Sequence, residues 1–337
     1  MNIQQLFEEL LAGHDLSPDA VGCIMKQCMR GELYDAQIAA FLVLMRQKGE
    51  SVSELTAAAN VMREFAHPID LGNHLVDIVG TGGDGKNTFN ISTVSSFVIA
   101  AAGAKVAKHG NRSVSSKSGS ADLLLEAGFK LDLPEEALRR CINECNIAFL
   151  FAPHFHQAMR HARLVRQQLG IRTLFNLLGP ITNPARASHQ VVGVFQHDWL
   201  MPLAEVLANT GSEHALVVHA KDGLDEISIA AETDIIEYHQ GKFKRWTIDP
   251  TVYGCAHDSL DGIIVENAKE SLALAESVLT GNKGPARDIV LLNSAAAIYC
   301  ANLVSTYREA LAKAADAIDS GQALKCFNQL RILTQPS

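Results

Sequence analysis

The sequence lacks any Cys-x-x-Cys pair, and its seven cysteines, at 23, 28, 141, 145, 255, 300 and 326, form an odd and unpatterned set. That argues against a disulfide framework and reads as buried thiols in a reducing compartment, so a cytoplasmic location is expected. No run reaches about 18 uninterrupted apolar residues, which leaves no candidate membrane span. The start, "MNIQQLFEELLAGHDL", has no basic region ahead of an apolar one, so no signal peptide is expected. Positive charge is the scarcer sign: 29 Lys and Arg stand against 37 Asp and Glu, a net charge of -8. A broad nucleic-acid-binding surface is not expected from that balance, although a local basic pocket stays open. Repeats and low-complexity tracts are missing too. What is present is ordinary globular material, 47% hydrophobic and 20% charged, in 337 residues, enough for about two domains of roughly 150 residues.

Residues 1 to 66 read as helices only. Ile3, Leu6, Phe7, Leu10 and Leu11 make one apolar stripe. Ser17-Pro18 reads as a cap followed by proline at the first helical position, and Ile38, Leu42 and Met45 repeat at helical spacing. Ser51 and Glu54 fit a capping box for a helix that ends near Ala66. Then the pattern changes. The runs "HLVDIVG", "AKVAKHG", "IAFLF", "QVVGVF" and "HALVVHA" read as strands, alternating with helical stretches such as "ISTVSSFVIAAAG", "SADLLLEAG" and "WLMPLAEVLANTG". Such alternation predicts a mostly parallel sheet covered on both faces. Four helices are expected near 267–280, 291–301, 305–319 and 322–332. The stretch "GIRTLFNLLGPITNPA" interrupts the second part with Gly179-Pro180 and Asn183-Pro184 turn signals, and is expected to pack back as part of a hinge. The division is therefore a small helical domain, 1–72 with 168–188 packing on it, and an α/β domain of 73–167 and 189–335.

"DIVGTGGDGKNTFNIST", Asp77 to Thr93, lies between a strand and a helix. Glycines there let backbone N–H groups approach a ligand, and the helix N-terminus adds partial positive charge, which favours phosphate or pyrophosphate. Thr88, Asn90, Ser92 and Thr93 add side-chain donors. Gly85-Lys86-Asn87 fails the P-loop pattern, and Gly83-Asp84 breaks a Rossmann fingerprint. The plain alternative is a strand-to-helix turn, for which one or two glycines would suffice.

A second cluster, "KHGNRSVSSKSGSAD", carries Lys108, His109, Arg112 and Lys117 with five serines and Asn111. It is either a second oxyanion cradle at the same sheet edge or a solvated serine loop. In "KDGLDEIS", Asp225-Glu226 with Asp222 nearby can hold Mg²⁺ or be an exposed acidic turn. "FAPHFHQAMRHARLVRQQLG" makes a poor zinc site, because His-x-His on a helix puts the rings on different faces. It is either a polar helix face or, through Arg166, a fork for a carboxylate.

Together with "FLFAPHFHQAM" and "VRQQLGIRTLFNLLGPITNP", these segments resemble the anthranilate phosphoribosyltransferase family over nearly the whole chain. The resemblance implies an α/β fold of the nucleoside phosphorylase and phosphoribosyltransferase kind, with a small N-terminal helical domain, a large α/β domain with a mostly parallel central sheet, and a homodimer joined through the helical domains. It implies a phosphoribosyl pyrophosphate loop at Gly80, Gly83, Asp84, Thr88, Asn90, Ile91, Ser92 and Thr93. A second loop over the same substrate matches Lys108, His109, Gly110, Asn111, Arg112, Ser113, Val114, Ser115, Ser116 and Ser120. Two Mg²⁺ ions per monomer are implied, one matching Ser92 and Glu226 and the other Asp225 and Glu226. Asn111 and Arg166 match contacts to anthranilate, with Gly80 close by, and His109, His156 and Pro180 match the tunnel that admits it. Gln157 departs from the proline found in many relatives. Association with an anthranilate synthase component is left open.

Catalysis is expected by positioning and electrostatics, with no single acid or base. The implied reaction joins anthranilate's neutral amine to the ribose and releases pyrophosphate. Two rivals share the scaffold. A pyrimidine-nucleoside phosphorylase is opposed by Asp225-Glu226 and by "KHGNRSVSS". A nucleic-acid-binding relative should have lost the glycine loop and gained a basic face.

Overall fold

Capping signals decide where the first helices begin. The computed structural model, which describes residues 2–113 and 117–335, opens with α1 (Ile3–Leu11), α2 (Pro18–Arg30), α3 (Asp35–Lys48) and α4 (Val52–Phe65). The Ser17 hydroxyl accepts from the Ala20 N–H at 3.2 Å at the start of α2. At α4 the Ser51 N–H donates to Glu54 Oε2 at 2.8 Å, closing the expected capping box. Glu54 is fully buried and also accepts from Lys48 Nζ and the Leu16 N–H, each at 2.8 Å, so one carboxylate ties three segments of the bundle.

Strands and helices then alternate: β1 (Leu75–Gly80), α5 (Ile91–Ala101), β2 (Lys105–Gly110), α6 (Ser120–Glu126), α7 (Glu135–Cys145) and β3 (Ile147–Phe151). A return segment follows, with α8 (Ala152–Phe155), α9 (Arg160–Leu169) and α10 (Leu174–Ile181). Beyond it lie β4 (His189–Gly193), α11 (Leu200–Asn209), β5 (His214–Ala220), β6 (Thr233–His239) and β7 (Lys242–Ile248). The chain closes with α12 (Ala268–Leu279), α13 (Pro285–Cys300), α14 (Tyr307–Asp319) and α15 (Gln322–Leu333).

The sheet order is β3-β2-β1-β4-β5-β6-β7, parallel from β3 to β5 and antiparallel at β6 and β7. The five strands expected from sequence are all present. The β6–β7 hairpin is an addition, turned by Gln240 and Gly241, both at positive φ (51° and 76°). That is the two-residue turn suited to the twist of paired strands. Helix α13 starts at Pro285, ahead of the expected 291, because proline suits a first helical turn. Where turn signals stood at Gly179-Pro180, the structure has α10, with Pro180 near its C-terminal end.

Strand periodicity feeds two cores. Val191, Leu216 and Val218 belong with α5 and α13, whereas their neighbours Val192, Ala215 and Val217 belong with α11 and the helical bundle. The bundle and one sheet face are thus one hydrophobic body. Helix α9 packs on α2 and α3 and places Ala162 and Val165 in that core. The segment joined to the bundle therefore takes in residues from 160, which the sequence division had left with the α/β part.

Candidate active site

β1 and β4 run side by side, but the chain leaves β1 towards β2 on one side and returns to β4 on the other. This is the point where strand order reverses, and the crevice beyond the strand C-terminal ends is where open α/β sheets bind ligands. Gly80 ends β1, Gly110 ends β2 and Gly193 ends β4.

The acidic loop sits directly against these ends. A side chain at Gly193 would collide with the Asp225 backbone carbonyl, and one at Gly80 with the Asp225 carboxylate. Only glycine permits that approach. The Gly82 N–H donates to Asp225 Oδ2 at 2.6 Å, and the Ser92 N–H to Glu226 Oε1 at 3.1 Å. Gly82 and Gly83 hold φ of 69° and 79°, a turn that glycine adopts without strain and that brings the Gly82 N–H onto Asp225. Asp222 instead accepts from the Leu224 N–H and the Ser228 hydroxyl, so it shapes its own loop rather than lining the cleft.

Three carboxylates crowd here. Burial and the facing Asp84 carboxylate push Asp225 up to about 7. Burial, Asp225 and Asp84 together push Glu226 well above the usual carboxylate range. The three carboxylates offer only oxygen donors, a set that fits Mg²⁺. Lys108 lies beneath, almost fully buried, with Nζ donating to the Ile78 carbonyl at 2.7 Å; burial lowers its pKa. Its ammonium is therefore anchored under the crevice. Asp77 accepts from the His109 N–H and from Asn183 Nδ2, fixing the base of the second loop.

The first and second loops are tied to each other. Asn90 Nδ2 donates to the Ser118 carbonyl at 3.0 Å, and the Ser118 hydroxyl to Asn90 Oδ1 at 2.7 Å. Asp122 Oδ2 accepts the Ser113 and Gly119 N–H groups, and the Asn111 carbonyl accepts from Ser120 Oγ. Lys117 pairs with Glu266 at 3.1 Å and is not among the residues lining the cleft. Val114, Ser115 and Ser116 lie outside the described residues.

Beside the loops the cleft is lined by His109, His156 and Pro180, with Arg166. The His109 and His156 rings lie 5.2 Å apart, and both Nε2 atoms are buried without a hydrogen-bond partner among the described residues. Burial, with His156 and Lys108 nearby, holds His109 well below the usual imidazole range; burial brings His156 to about 4. Both are neutral at pH 7. Arg166 lies 5.4 Å over the Phe175 ring, with no carboxylate pairing to it among the described residues. His154 pairs with Asp132 at 3.1 Å while His156 turns inward, so the two do not share a metal.

One cleft of about 2640 Å³ takes in this whole arrangement. The described residues that the resemblance implies at the site line it, namely the glycine-loop set, the second-loop set, Asp225, Glu226, Arg166, His156 and Pro180, whereas Lys117 and Asp222 do not. Sequence reasoning missed Arg172, Thr81 and Gly193. A glycine inside "QVVGVF" was the available signal for a close backbone approach.

Residues 4–66 match the family model described as "Glycosyl transferase family, helical bundle domain", and residues 72–324 match "Glycosyl transferase family, a/b domain". The chain is 63% identical over 335 residues to the anthranilate phosphoribosyltransferase of Legionella pneumophila, covering 99% of this chain and 97% of that one. This chain belongs to the anthranilate phosphoribosyltransferase family. The crystal structure of the anthranilate phosphoribosyltransferase from Thermus thermophilus superposes with a TM-score of 0.92 at 39% identity, covering 98% of this chain and 99% of that one. The Saccharomyces cerevisiae anthranilate phosphoribosyltransferase, solved in complex with PRPP and Mg, gives 0.90 at 26% identity over 98% and 97% of the two chains.

Proposed function

We propose that this chain transfers the 5-phosphoribosyl group from phosphoribosyl pyrophosphate (PRPP) to the amine of anthranilate, giving N-(5-phosphoribosyl)anthranilate and pyrophosphate in tryptophan biosynthesis. The observation that carries the reading is the convergence of the glycine loop, the second loop and the acidic pair on one cleft at the β1/β4 crevice.

Amides of the glycine loop and the N-terminus of α5 receive the diphosphate. Asp225 and Glu226, with Asp84 beside them, would hold Mg²⁺, with two ions per monomer and Ser92 contributing to one. Bound there, the metal neutralises charge gathering on departing pyrophosphate. Asn111 and Arg166 take anthranilate, Arg166 through a fork that matches its carboxylate. Neutral His109 and His156, with Pro180, give the ring a recess that adds no cation to compete with Arg166. The aryl amine attacks C1 as the C1–O bond to pyrophosphate breaks, and the nitrogen then loses its proton. Fixing amine and C1 together can supply about 7–11 kcal/mol in favourable cases, so positioning and charge suffice without a covalent intermediate.

The functional unit is a homodimer joined through the helical part, where Leu11, Tyr34 and Val43 stand exposed on and beside α1 and α3. Seven free thiols, six of them buried, accord with a cytoplasmic location. Among the described residues no helix is long and apolar enough to cross a membrane. Loss of anthranilate fluorescence tests the activity: the protein consumes anthranilate only with both PRPP and Mg²⁺ present. No consumption, with thymidine phosphorolysis in its place, overturns the reading.

A further inference from the structure

Arg172 lies three residues beyond α9 and lines the cleft, yet among the described residues it pairs with no carboxylate. Its guanidinium does three other things. Nη2 donates to the Gly83 carbonyl in the glycine loop. The planar group lies over the Phe195 ring, 4.1 Å from its centre. The Phe195 N–H in turn donates to the Thr81 hydroxyl at 3.3 Å, so one end of the Thr81–Gly83 turn is bonded to the Phe195 backbone and the other to Arg172. The Arg172 carbonyl accepts from Arg46 Nη1 at 2.7 Å, which fastens this position to α3 of the helical bundle. A side chain at Gly83 would meet the guanidinium, so the absence of one lets Arg172 lie against the loop backbone.

We propose that Arg172 is the positioning residue that couples the helical bundle to the glycine loop and sets the inward aim of that loop's amides. The inference rests on the transferase reading above and assigns a role within it. A planar fork is needed: it stacks on Phe195 and donates in the same plane to Gly83, which an ammonium cannot do. Because Arg166 lies on α9, six residues before Arg172, the side of the cleft proposed for anthranilate and the loop proposed for PRPP are joined through Arg172, and the effect of losing it falls on the loop side.

Steady-state kinetics of Arg172→Ala and Arg172→Lys test this. Loss of one charge-assisted hydrogen bond and its stacking raises the KM for PRPP by about tenfold to a hundredfold. The KM for anthranilate stays within about threefold, since Arg166 is untouched. Arg172→Lys retains the charge and still shows most of the defect. Millimolar guanidinium chloride restores part of the PRPP affinity of Arg172→Ala, whereas equal sodium chloride does not. Equal rises in both KM values, or an unaltered PRPP KM in variants whose melting matches wild type, overturn the proposal. If Arg172→Ala fails to fold, Arg172→Lys alone decides by the same split. Wild-type protein without anthranilate-dependent consumption of PRPP would sink the transferase reading itself, which is a separate result.

Discussion

The Gly82 N–H donates to Oδ2 of Asp225 at 2.6 Å, across 143 positions of sequence. That bond joins the turn proposed to receive the diphosphate to the carboxylate group proposed to hold its counter-ion.

Removing that carboxylate pair should stop turnover without unfolding the protein. Asp225→Asn with Glu226→Gln should lose at least about a hundredfold in kcat, the scale of a lost electrostatic contribution in a buried site. Circular dichroism should match wild type. Undiminished turnover at limiting Mg²⁺ contradicts the metal assignment.

The raised Asp225 sets a sign for pH. Its ordinary unfolded value is about 3.9 and its folded value about 7, so without metal the ionised form is disfavoured in the folded state. The stabilising contribution of the protonated form is complete below about pH 4 and is lost as pH rises through about 7. Mg²⁺ binds the ionised form. Its effect on the melting temperature should therefore grow between pH 6 and pH 8, and Asp225→Asn should flatten that slope. A Mg²⁺ effect independent of pH in wild type counts against the crowded-carboxylate account.

Arg166→Ala should raise the anthranilate KM by about tenfold or more, the worth of a hydrogen bond to a charged group, with little change for PRPP. An unaltered anthranilate KM removes Arg166 from the clamp.

Glu54 concerns stability alone. It is buried and bonded to Lys48, Ser51 and Leu16. Glu54→Ala leaves the nearly buried Lys48 ammonium short of one carboxylate and two amides short of an acceptor. A cost of about 3 kcal/mol in urea unfolding is expected. A value below about 0.5 kcal/mol, typical of surface changes, is the contrary result.

Gly193→Ala tests the close approach. Its new methyl group meets the Asp225 carbonyl, so the acidic loop must shift. Both melting temperature and turnover should fall, whereas a fully active, equally stable variant contradicts the tight seat.

Much of this was legible beforehand because local chemistry wrote it. Ser51 and Glu54 announced a capping box, and strand–helix alternation announced the parallel sheet. The glycine loop, second cluster and acidic pair each carried their own signal. The β6–β7 hairpin was passed over, although "HQGK" flanked by alternating residues marks a two-residue turn. The sequence left the Lys117 cluster open between a cradle and a solvated loop, and its partner Glu266, far off in sequence, could not be seen there. Arg172 was hidden for the same reason: Gly83, Phe195 and Arg46 converge on it only once the chain is folded.

Calorimetric titration of PRPP with Mg²⁺ into wild type and into Asp225→Asn/Glu226→Gln tests the shared cleft most directly. The account predicts one saturable site in wild type that needs the metal and is lost in the double variant. Metal-independent binding of equal strength in both proteins would contradict it.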